Sequence, residues 1–130
     1  FCNCLDVMLM LNIRTMRAED VEVVARMVAL DHDKDPDKGY KEARQHTLDH
    51  LEIVREYCFV VEKEESEIVA VMVLHPQETV FEIEDFHVRQ AEQNKEALRL
   101  LKTKLMEYVT TVETEVLCCP YAMKRLITIE

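Results

Sequence analysis

From Thr79 to Val109 the apolar residues change period once, and that change constrains the fold more than any other stretch of the chain. Val80, Phe81, Ile83, Phe86 and Val88 form a β-branched and aromatic run, the composition of a largely buried strand. Leu98, Leu101, Leu105, Met106 and Val109 then recur at helical spacing, with Lys and Glu between them. The polar segment from Arg89 to Asn94 joins the two. A strand that feeds a helix through a short loop leaves backbone N–H groups unpaired at the helix start, where an anion can bind.

The other segments fall into place around this one. Leu11 to Thr15 reads as a strand, and an apolar stripe through Val21, Val24, Met27, Val28 and Leu30 predicts a helix over about residues 18–31. Asp31 to Gly39 reads as a loop. Helical spacing returns from Tyr40 to Tyr57 through Ala43, Leu48, Leu51 and Val54. Cys58 to Glu62 and Glu67 to Leu74 form a hairpin around a polar turn, and His75 to Gln77 leads into the central strand. Thr114 to Cys119 reads as a short strand, and Pro120 suits the first turn of a last helix ending at Glu130. The order β, α, α, β, β, β, α, β, α predicts one α+β domain over residues 10–130, a mixed and mainly antiparallel sheet flanked by helices. Phe1 to Leu9 is set aside as an N-terminal extension.

With 130 residues, 48% of them hydrophobic and 32% charged, the chain has material for a real core. A net charge of −10 argues against nonspecific attraction to nucleic acid or acidic membrane, which needs clustered Lys and Arg. No stretch has the length of a membrane span. Five cysteines, an odd number with Cys58 inside an apolar run, predict reduced thiols and a cytoplasmic location. Cys2, Cys4, Cys118 and Cys119 could offer four thiolates to zinc, but neither pair has the two-residue gap usual in structural zinc sites. The plainer reading is incidental thiols.

The succession of elements, opening with Ile13-Arg-Thr-Met-Arg-Ala-Glu-Asp-Val21, resembles the GNAT family of acyl-CoA N-acyltransferases over nearly the whole chain from Leu11. The resemblance implies a three-layer GNAT-like fold and transfer of an acyl group from acetyl-CoA to the amine of a small molecule or peptide. It implies that Phe86, His87 and Val88 present backbone to the pantetheine arm. The segment Gln93, Asn94, Lys95, Glu96, Ala97 and Leu98 would face the pyrophosphate, and Glu84 or Glu82 would act as general base. In the family's motif, Arg or Gln-x-x-Gly-x-Gly or Ala, the first position falls on Gln93, whereas Glu96 and Leu98 stand where the glycines belong. Those glycines let backbone approach a pyrophosphate, and a carboxylate there opposes one. A second reading therefore stays open: a GNAT-like binding or oligomerisation module that has lost coenzyme binding. The family's Tyr on the last helix has no counterpart, since Ile127 falls there. The family's two further strands are not expected either, so either the domain is minimal or a second copy completes the sheet as a homodimer.

Four other constellations remain. By alternation Glu82, Glu84 and Phe86 share one face of the central strand, and Ile83, Asp85 and His87 the other. Asp31, Asp33, Asp35 and Glu42 match the spacing of a calcium loop, but Pro36 occupies the position that needs a glycine, so the segment reads as a solvated acidic loop. His46 and His50 lie one helical turn apart, as metal-binding pairs can, without an adjacent Glu or an evident third ligand. No metal is expected there. Lys95, Arg99, Lys102 and Lys104 read as a solvated helix face.

Overall fold

A computed structural model describes residues 11–32, 36–64, 67–77, 80–89, 94–111 and 126–129. Strand β1 (Asn12–Thr15) is followed by a 3-10 turn (Ala18–Asp20) and two helices, α1 (Val21–His32) and α2 (Pro36–Ile53). A second 3-10 turn (Arg55–Tyr57) leads to β2 (Cys58–Lys63), β3 (Glu67–Gln77) and β4 (Val80–Val88). Helix α3 (Lys95–Met106), β5 (Val109–Thr111) and β6 (Leu126–Ile129) complete the described elements. The strands form one sheet in the order β1-β2-β3-β4-β6-β5, antiparallel at every neighbouring pair. The fold is α+β. Among the described residues no helix is long and apolar enough to cross a membrane.

The centre of the sheet is apolar on both faces because helices cover both. Cys58, Val60, Ile68, Val71 and Val73 pack with Val21, Val24, Ala25 and Val28 of α1 and with Ala43 and Leu51 of α2. Phe59, Val61, Ala70, Met72, Leu74, Ile83 and Phe86 face the other way, onto Ala97, Leu101 and Leu105 of α3. The result is three layers, with α1 and α2 on one side and α3 on the other.

Two bulges interrupt the pairing. Val61 pairs with Ala70 but Glu62 with Ile68, which makes Val69 an extra residue in β3. Val73 pairs with Asp85 but Leu74 with Ile83, so Glu84 is an extra residue in β4. The second bulge overturns the alternation expected from the sequence. Ile83 and Phe86, three positions apart, lie in the same α3-side core, which a regular strand of period two forbids.

Three sequence expectations are corrected. The loop expected from Asp31 to Gly39 is mostly helix, since α1 continues to His32 and Pro36 opens α2. Proline is at ease there, where its missing N–H would have had no intrahelical partner. The helix from Pro36 onward also rules out a calcium loop running to Glu42. His75 to Gln77 is not a connection but the end of β3, paired with Val80 to Glu82. The helix expected to end at Glu130 is replaced by β6 at its C-terminal part, where Ile127, Thr128 and Ile129 supply β-branched residues. Strand β6 pairs with Val80, Phe81 and Glu82 of β4 on one side and with β5 on the other, so it lies between them in the sheet. The strand expected at Thr114 to Cys119 lies outside the described residues. So do Cys2, Cys4, Cys118 and Cys119.

A candidate histidine and carboxylate site on the central strand

Helix α2 presents His46 and His50 one turn apart, on the side where it meets the sheet. The bulge in β4 meets them there. Successive residues of a regular strand point to opposite faces, but the inserted residue turns Glu84 and Asp85 to the same side. His50 Nε2 lies 3.9 Å from Glu84 Oε1. His46 Nε2 lies 3.0 Å from Asp85 Oδ2. The second oxygen of Asp85, Oδ1, is 3.4 Å from Nε2 of His87, a fully buried imidazole. The rings of His46 and His50 approach to 4.3 Å between centroids, and His75 stands edge-on to His50 at 6.0 Å. His75 Nδ1 is buried with no hydrogen-bond partner among the described residues.

The electrostatics fix several protons. Burial pushes the Asp85 carboxyl up, but hydrogen bonds from His46 and His87 outweigh it and hold the group down at about 2. An ionised carboxylate only accepts, so both Nε2 atoms that face it carry hydrogen. In His46 this makes Nδ1 the basic ring nitrogen. His50 Nδ1, 2.9 Å from the carbonyl oxygen of His46, must donate to it, which makes Nε2 the basic nitrogen of that ring. That is the atom facing Glu84. Nearby Cys58 is excluded as a nucleophile, because burial, reinforced by the Asp85 charge, pushes its thiol up to about 12.

The residues expected to hold a cofactor are divided by the structure. Phe86 is buried toward α3, His87 is buried beside Asp85, and Val88 packs half-buried against the α3-side core. All three pair through β3, with Met72, Val71 and Ala70. Glu82 is half-buried and pairs with His75 on one side and Leu126 on the other. Gln93 lies outside the described residues. Asn94 gives its side chain to the carbonyl of Arg89 and caps no amide of α3. Ala97 is core, and Leu98 packs partly against it. Glu96 pairs with Arg99 within the first turn. Lys95, Leu98, Arg99, Lys102, Thr103 and Met106 line an open cleft of about 400 Å³ along α3.

Comparison with family models, curated proteins and solved structures finds no match to this chain. The sequence reading missed the meeting of Glu84 with His46 and His50 because alternation put Glu84 beside Phe86. One signal was present: the apolar residues of the strand step by three between Ile83 and Phe86, which marks one inserted residue.

Proposed function

We propose that the protein is an N-acyltransferase of GNAT-like architecture that moves an acetyl group from acetyl-CoA to an amine. The observation that carries this reading is Glu84. The bulge aims its carboxylate out of the central strand at the basic nitrogen of His50, two residues beyond the last pair between β4 and β6. In that role Glu84, or Glu82 on the same strand, takes a proton from the ammonium form of the acceptor. The neutral amine then attacks the thioester carbonyl, the C–S bond breaks, and the departing sulfur of CoA gains a proton as the amide forms. The order of the first seven elements, strand, two helices, three strands and a helix, supports the architecture. The uncapped first turn of α3 and the three cations of its cleft support a place for coenzyme phosphates on a chain that is otherwise strongly acidic.

One observation favours a second reading, a GNAT-like module without coenzyme. Glu96 and Arg99 already form an ion pair at the start of α3, where a pyrophosphate would need the cation. Calorimetric titration with acetyl-CoA and CoA separates the two. Saturable micromolar binding, tightened by Glu96→Gly, and a loss of transfer of about 100-fold in Glu84→Gln support the enzyme. No heat and no thermal stabilisation at millimolar ligand overturn it and leave the module.

A further inference from the structure

We propose that His46, His50 and Glu84 form a binding site for one divalent transition-metal ion, of which zinc is the representative. Their three donor atoms all lie within 4.8 Å of one another. Metal bonds of about 2.1 Å in a tetrahedral shell separate ligand atoms by about 3.4 Å, so the 3.9 Å from His50 Nε2 to Glu84 Oε1 closes with a small side-chain adjustment. Two imidazole nitrogens and one carboxylate oxygen are the donor set of open zinc sites, in which a fourth position is left for water or substrate. The side chains are 35%, 14% and 12% exposed for His46, His50 and Glu84 in turn, which shields the site yet leaves an entry on the His46 side.

The surroundings are those that orient metal ligands. A ligating histidine usually gives its other N–H to a carbonyl or carboxylate, which sets the ring and its tautomer. Here His50 gives its Nδ1 hydrogen to the carbonyl of His46, and Nε2 of His46 lies 3.0 Å from the carboxylate of Asp85. The buried His75 Nδ1, with no hydrogen-bond partner among the described residues, adds a fourth nitrogen at the rim of the same cluster. A nitrogen-rich set favours zinc, cobalt and nickel over magnesium and calcium, which take oxygen ligands.

The proposal does not require acyl transfer. If both hold, zinc on Glu84 occupies the general base, so the loaded protein should transfer more slowly than the metal-free one. Binding and transfer are read separately, and the failure of one leaves the other standing.

The test uses the full chain, stripped with chelator, in two backgrounds: native, and with Cys2, Cys4, Cys118 and Cys119 all changed to Ser. The substitutions remove thiolates that could bind zinc elsewhere. Zinc titrated against a competing chromophoric chelator should bind with one equivalent in both backgrounds, and cobalt should give the visible bands of a low-symmetry site. His46→Gln, His50→Gln and Glu84→Gln, each checked for folding by circular dichroism, should weaken zinc at least about tenfold, while millimolar magnesium and calcium leave the melting temperature unchanged. Deletion of Glu84, which restores regular pairing in β4, should abolish binding in a folded protein. Zinc that binds only when the four cysteines are present, or equally well in the three Gln variants, overturns the proposal. So does the absence of binding.

Discussion

At Asp20 a single carboxylate ties the first strand to the first helical turn. Arg14 grips it with two bonds, from Nη1 at 2.7 Å and Nη2 at 3.0 Å, and the backbone N–H of Arg17 adds a third at 2.8 Å. Arg14 Nε also lies 3.1 Å from Glu62 on β2. Burial pushes the Asp20 carboxyl up, but these donors together hold it below the usual carboxylate range, and Asp20 in turn raises the Arg14 guanidinium. The sign follows from linkage: a carboxylate depressed in the folded state stabilises above its unfolded value of about 3.9 and stops doing so as pH falls through the lower folded value. Asp20→Asn should therefore cost about 3 kcal/mol at neutral pH, since it leaves Arg14 without its buried partner. Urea midpoints of the two proteins should converge as pH is lowered below about 4. A difference that is constant with pH would show that the ion pair contributes nothing.

At the scale of the element, the bulge in β4 is an insertion that keeps the core in register. With Glu84 removed, Leu74 still faces Ile83 and Val73 still faces Asp85, now as consecutive pairs of a regular ladder. Ile83 and Phe86 stay in the α3-side core, and Asp85 stays beneath α2. Deleting Glu84 should thus change stability by about 1 kcal/mol or less, whereas Phe86→Ala in the same strand should cost about 4 kcal/mol through the cavity it leaves. Chemical denaturation of both variants checks this. A deletion as damaging as the cavity would mean that the bulge is structural. The expected contrast would mark Glu84 as a residue the fold can spare.

At the scale of the molecule, Cys58 reports on the whole. Its side chain is buried in the core between β2 and the helices, and its thiol is pushed up to about 12. Reaction with a thiol reagent at pH 8 should require global opening, so its rate should follow the free energy of unfolding across variants such as Asp20→Asn. Peptide mass spectrometry locates the modified cysteine. Rapid modification of Cys58 in the native protein would contradict the packing of α2 on the sheet.

The sequence by itself determined the periods, and with them most of the elements. The apolar stripes of α1, α2 and α3 and the unbroken apolar runs of β2 and β3 follow from burial, which each segment records in its own residues. It also located β4 to its ends, because Val80 to Val88 is rich in strand formers between polar flanks. Tertiary structure decided what neighbouring segments settle between them. Strand β6 owes its place to the edge of β4 at Val80 to Glu82, and a short run beginning Leu126-Ile127 is ambiguous without that edge. The bulge is a relation between two strands, so no property of Glu84 alone announces it. It is the bulge that carries Glu84 across the sheet to His46 and His50, and a site made by a register shift becomes visible only once the strands are paired.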